Sequence, residues 1–143
     1  GVVFEILKYR TMVKNAESDG AVFTAANDSR VTAFGKFMRK TRMDEFPQFI
    51  NILKGDMAVI GPRPERPIFV KEIAEIMPFY ETRHIIKPGL TGWAQVNYSY
   101  GETIDDSLIK LQYDLYYIKH RSIYLDMNIA FKTITTILFY RGQ

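Results

Sequence analysis

Pro47 limits what the stretch Arg39-Lys40-Thr41-Arg42-Met43-Asp44-Glu45-Phe46-Pro47-Gln48 can fold into. Proline is tolerated in the first turn of a helix and breaks the interior, because it lacks an N–H and its ring strikes the preceding turn. The pattern therefore predicts a helix that begins near Thr41 to Asp44, runs through Phe49, Ile50 and Leu53 to Lys54, and stops at Gly55. In that register Asp44 lies among unpaired backbone N–H groups at the positive end of the helix dipole, where an ionised carboxylate is favoured. Helical neighbours point about 100° apart, so Asp44 and Glu45 cannot serve the same ligand atom. One can attack while the other holds a metal. Taken alone, such a pair more often does nothing beyond capping a helix.

The flanking segments set the fold expectation. Val2 to Lys8 reads as a strand leading into the basic Lys8-Tyr9-Arg10-Thr11-Met12, and Asn15 to Asn27 reads as a polar loop. Asp28 or Ser29 can cap a helix with Val31, Phe34, Phe37 and Met38 on one face and Arg30, Lys36, Arg39 and Lys40 on the other. Met57 to Ile60 reads as a short buried strand that enters Gly61-Pro62-Arg63-Pro64-Glu65. Two prolines hold that segment stiff and fix where Arg63 points, an arrangement suited to bidentate phosphate recognition or base stacking. Pro67 opens a helix with Ile68, Phe69, Ile73, Ile76 and Met77 inward, and Pro78 ends it. Trp93 to Asn97 reads as a strand after the Lys87-to-Gly92 turn, and Tyr98 to Gly101 as a second turn.

Thr103 and Asp106 resemble a capping pair for a helix with Ile104, Leu108, Leu111, Leu115 and Ile118 inward. Asp114 lies at the edge of that stripe, so it needs a salt-bridge partner, a cation or a ligand. The last segment, Asp126 to Tyr140, gathers Met127, Ala130, Phe131, Ile134, Ile137 and Leu138 on one stripe. That stripe suits a core helix, or one lying in a membrane interface. The expected fold is α+β and mostly helical: four to five helices around a small sheet or hairpin drawn from Val2–Lys8, Met57–Ile60 and Trp93–Asn97.

At 143 residues the chain suffices for one domain with its own core. Its 24% charged and 47% hydrophobic residues exclude a disordered tail. The lack of cysteine excludes disulfides and thiolate metal sites, and neither histidine has a partner at metal-ligand spacing. A net charge of +3 suits an anionic ligand or membrane surface. The opening residues already read as a strand in progress, as expected of a piece of a longer polypeptide.

Jointly and in order, these motifs resemble the bacterial sugar transferase family, the monotopic phosphoglycosyl transferases. The likeness rests on Lys8-Tyr9-Arg10-Thr11-Met12, Arg39 to Gln48, Asn51 to Met57 and Gly61-Pro62-Arg63-Pro64-Glu65. It continues through Arg83-His84, Lys87 to Asn97 and Tyr113 to Ile118. The resemblance implies transfer of a sugar-1-phosphate from a nucleoside-diphosphate sugar, a UDP-sugar, to polyprenyl (undecaprenyl) phosphate. Asp44 would be the nucleophile that becomes a phosphosugar ester, and Glu45 the Mg²⁺ ligand. Lys8, Arg10, Arg39, Pro62, Arg63, Pro64, Gln95 and Asp114 would bind substrate.

It further implies work on the cytoplasmic face of the bacterial inner membrane, in exopolysaccharide, capsule or O-antigen type synthesis, through a missing N-terminal segment and residues 126–140. A homo-oligomer is compatible, and nucleic acid is not an expected partner. Many members carry Gly-Arg after the Gln-Val-Asn motif; here Asn97 is followed by Tyr98-Ser99. Competing readings are a Mg²⁺-dependent nucleotide-sugar hydrolase and a non-catalytic basic binding module. Product analysis with and without the lipid separates the first, and salt-dependent oligonucleotide binding the second.

Overall fold

The computed structural model describes residues 1–18, 20, 28–98 and 104–138, the side chains of Ile104 and Leu138 excepted. Most of the Asn15-to-Asn27 loop lies outside them, as do the turn at Ser99 to Gly101, the Thr103 cap and the end of the last helix at Tyr140. The described residues form six α-helices around a small sheet, the α+β arrangement the sequence implies. These are α1 (Ala33–Lys40), α2 (Gln48–Lys54), α3 (Pro67–Ile76), α4 (Trp93–Asn97), α5 (Ile104–His120) and α6 (Ile123–Leu138). Strands β1 (Ala58–Ile60) and β2 (Gly89–Thr91) pair in parallel, Ala58 opposite Gly89 and Ile60 opposite Thr91. Short 3-10 turns occupy Met43–Glu45 and Tyr80–Ile85.

Two expected strands do not form. Val2 to Lys8 is not a strand and pairs with none among the described residues. Its backbone is tied instead by Asn51 of α2: the Leu7 N–H donates to Oδ1 (3.0 Å) and Nδ2 donates to the Glu5 carbonyl (2.8 Å). A side-chain amide replaces a ladder, and Val2 and Val3 face solvent. Trp93 to Asn97 is the helix α4, closed by Val96 N–H to Gly92 and Tyr98 N–H to Ala94. The strand, Gly89–Thr91, starts four residues earlier, and five residues with Gln95 and Asn97 among them are too few to reveal their period.

The predicted helix from Thr41 to Lys54 is broken. Helix α1 ends at Lys40, Arg42 turns left-handed (φ 58°), and Pro47 is the N-cap of α2. Asp44 therefore sits in the 3-10 turn and not in the first turn of α2, so the dipole argument does not apply to it. Gly55 does stop α2, in the left-handed conformation (φ 83°). Phe49, Ile50 and Leu53 face outward, while the polar Gln48 and Asn51 are buried. Thr32, and not Asp28 or Ser29, caps α1 by accepting the Gly35 N–H at 2.9 Å; Asp28 is engaged by Arg30.

Two clusters make the core. Phe69, Ile73, Met77 and Tyr80 pack with Leu111, and Tyr117, Leu125 and Ile129 pack with Ile60, Ile86, Trp93 and Val96. Several residues expected inward are exposed: Phe34 and Phe37 on α1, Ile68 and Ile76 on α3, and Leu108 on α5. Helix α6 is rotated from its expected setting. Leu125 and Ile129 are buried, whereas Met127, Phe131, Ile134 and Ile137 are between 37% and 62% exposed. No helix among the described residues is long and apolar enough to cross a membrane.

Candidate active site

The extended N-terminal segment brings Lys8 to the acidic pair. The Tyr9 N–H donates to the Asp44 carbonyl at 3.0 Å. Two residues on, the Thr11 carbonyl accepts from the Thr32 N–H (3.0 Å) and from Thr32 Oγ1 (3.2 Å). Gly35 makes that crossing possible, since a Cβ there would lie 2.0 Å from the Thr11 oxygen. Arg63 arrives from the other side, on the proline-flanked segment after β1.

Three cations converge on one oxygen, Glu45 Oε1: Arg63 Nη2 at 3.0 Å, Lys8 Nζ at 3.4 Å and Arg42 Nη1 at 3.7 Å. Asp44 and Glu45 are buried, 8% and 7% exposed. Burial pushes the Glu45 carboxyl up, but Arg63, Lys8 and Arg42 outweigh it and hold Glu45 below the ordinary glutamate value. Asp44 moves the other way. Burial first and the charge on Glu45 second raise it above the usual range, against the pull of Lys8, Arg42 and Arg39. Its Oδ1 is buried without a hydrogen-bond partner. Lys8 is lowered by burial and by Arg63, with both carboxylates opposing.

Behind this group lies a second, drier one. Arg83 donates from Nε to Asp114 Oδ2 (3.0 Å), from Nη1 to the Tyr80 hydroxyl (2.9 Å) and from Nη2 to the Arg63 carbonyl (2.8 Å). Its Nη2 also lies 2.8 Å from Asp114 Oδ2. Arg83 is 5% and Asp114 2% exposed. Burial pushes the Asp114 carboxyl up to about 6, with Arg83 pulling it down.

Residues 1–140 match the model of the family described as "Bacterial sugar transferase". The chain belongs to the bacterial sugar transferase family. It is 53% identical over 135 residues to the "UDP-N-acetylgalactosamine-undecaprenyl-phosphate N-acetylgalactosaminephosphotransferase" of Aeromonas hydrophila, covering 94% of this chain and 32% of that protein. It is 42% identical over 139 residues to the "UDP-glucose:undecaprenyl-phosphate glucose-1-phosphate transferase" of Escherichia coli (strain K12), covering 94% of this chain and 29% of that protein. It is also 40% identical over 145 residues to the "Undecaprenyl-phosphate glucose phosphotransferase" of Komagataeibacter xylinus, covering 97% and 27%. The chain thus spans about a third of these relatives' length.

In this sugar transferase chain, the expected site residues separate into those at the dyad and those elsewhere. Lys8 and Arg63 meet Glu45 directly, with Pro62 and Pro64 flanking Arg63. Asp114 engages Arg83 behind Arg63. Arg39 donates Nε to Thr11 Oγ1 (2.9 Å), bracing the crossing segment, and influences Asp44 only through its charge. Arg10 is exposed. Gln95 donates to the Leu90 carbonyl (3.2 Å) at the corner between β2 and α4, with its Oε1 buried and without a partner.

Arg83 stands among the motifs that carry the family resemblance but had no role assigned from sequence, and Tyr80 was not singled out; the Arg83–Asp114 bond spans 31 positions and follows no local period. The signals available were the Arg83-His84 motif and the need of a half-buried Asp114 for a cation.

Among the described residues, no three acidic or histidine side chains are grouped to cage a metal. The acidic pair suits a Mg²⁺ that keeps several waters and arrives with phosphate oxygens, which asks for only one or two carboxylates.

Proposed function

We propose that the chain is the catalytic core of a phosphoglycosyl transferase. It moves a sugar-1-phosphate from a UDP-sugar to undecaprenyl phosphate at the cytoplasmic face of the bacterial inner membrane, opening synthesis of an exopolysaccharide, capsule or O-antigen type glycan. The names of the relatives support the acceptor and the reaction class. The observation that carries the reading is the inequality between the two carboxylates. Glu45 is claimed by three cations, while its neighbour Asp44 keeps a buried oxygen with no partner. A nucleophile requires such a free oxygen.

The reaction proceeds in two displacements. An Asp44 oxygen attacks the sugar-bearing phosphorus, the P–O bond to the second phosphate breaks, and nucleoside monophosphate leaves with the electron pair. A phosphate oxygen of the lipid then attacks the aspartyl ester, the bond to Asp44 breaks, and the carboxylate is restored. Lys8, Arg42 and Arg63 are placed to offset the charge of the approaching anions. Mg²⁺ held by Glu45 would add further neutralisation of the diphosphate.

The test uses the full-length enzyme with Mg²⁺, UDP-sugars and undecaprenyl phosphate. Nucleoside monophosphate release and a covalent phosphosugar adduct are expected, both lost in Asp44→Asn. Adduct that persists in Asp44→Asn removes Asp44 as the nucleophile. Sugar phosphate released at equal rate without lipid marks a hydrolase instead.

A further inference from the structure

Arg63 stands on a segment whose flanking prolines donate no backbone N–H, so few bonds can hold it. On the sheet side, the Gly61 N–H donates to the Thr91 carbonyl and the Gly89 N–H to the Pro62 carbonyl, each at 2.9 Å. On the other side the tie is Arg83, whose Nη2 holds the Arg63 carbonyl at 2.8 Å. The rest of the Arg83 guanidinium is fixed by Asp114 and the Tyr80 hydroxyl, and all three residues are buried. Leaving one planar fork in three directions, these bonds define its position in a way a lysine ammonium cannot copy. From the same residue 63, the side chain runs forward to Glu45 Oε1 at 3.0 Å.

We infer that Arg83 is a positioning residue: through the main-chain carbonyl of Arg63 it sets where the Arg63 guanidinium stands beside the Asp44–Glu45 pair. Asp114 belongs to the same device as the buried anion that holds Arg83 in place, on α5, 31 positions away in sequence. The meaning of this for catalysis rests on the phosphoglycosyl transferase reading; the mechanical claim does not.

The experiment compares full-length wild type, Arg83→Lys, Arg63→Ala and the double variant. Arg83→Lys keeps the charge and loses the fork, and kcat for nucleoside monophosphate release is expected to fall about 10- to 100-fold, as displaced catalytic groups do. In the Arg63→Ala background the same substitution is expected to change kcat less than about twofold, because both act on one element. Equal losses in both backgrounds, or a fully active Arg83→Lys, overturn the inference. Hydrogen exchange over residues 61–66 reads the same device without turnover. Faster exchange there in Arg83→Lys, with the melting temperature held within about 2 °C, supports the inference; unchanged exchange overturns it. If the wild type releases no nucleoside monophosphate, the transfer reading fails, and the exchange result still decides the role of Arg83.

Discussion

At the residue scale the site is an uneven division of charge. Glu45 gathers three cations on one oxygen, and at Asp44 beside it burial and a like charge outweigh the pull of Lys8, Arg42 and Arg39. Replacing each carboxylate should therefore have opposite consequences for folding. Glu45→Gln removes the anion shared by Lys8, Arg42 and Arg63. Since those cations are about a third exposed and screened, the expected loss is only about 1 kcal/mol in urea unfolding. Asp44→Asn relieves the repulsion and should be at least as stable as wild type at pH 7 while inactive.

Asp114 gives a pH test. Its folded value is raised to about 6 by burial, with Glu65 adding to the rise and Arg83 and Lys110 opposing it. A carboxyl raised in the folded state favours folding when protonated, and that contribution disappears as pH climbs through the folded value. The stability of wild type relative to Asp114→Asn should thus decline between about pH 4 and about pH 6 and stay level above, as read by chemical unfolding across that range.

At the element scale the deciding feature is an N-terminal segment whose pairing, among the described residues, is a single antiparallel bridge from Met12 to Val31. Residues 5–12 are otherwise held by Asn51, by the Asp44 carbonyl and by the close passage over Gly35. Asn51→Ala should cost about 2–3 kcal/mol, because it frees two backbone groups at once. Gly35→Ala forces the crossing apart and should cost about 1–3 kcal/mol. Both losses are measured by urea unfolding. Both variants should also weaken turnover beyond their stability cost, since the same segment delivers Lys8 to Glu45.

At the scale of the whole molecule, α6 is bound to the core through Leu125 and Ile129 and turns Met127, Phe131 and Ile134 to solvent. Among the described residues this helix is not long and apolar enough to cross a membrane, and its exposed apolar face suits an interfacial element. Phe131→Glu is accordingly expected to reduce co-sedimentation of the full-length protein with anionic vesicles severalfold. The melting temperature should remain near that of wild type, because this side chain is 62% exposed.

Punctuation and local chemistry were legible without coordinates: the Gly55 stop, the Pro67 start and a strand within Met57–Ile60, found at Ala58–Ile60, all depend on neighbours in sequence. So did the pairing of two carboxylates with nearby cations, and the demand of Asp114 for a partner. The facing of α6, the helix at Trp93–Asn97 and the lone extended segment were not legible. Each is decided by tertiary packing, and an apolar residue reads the same whether it faces a core or a solvent-side patch. The two-stage link from Asp114 through Arg83 to Arg63 was likewise hidden. Its members meet only because α5, the Tyr80–Ile85 turn and the proline-flanked segment converge, and hydrogen bonds between distant positions leave no period in the sequence.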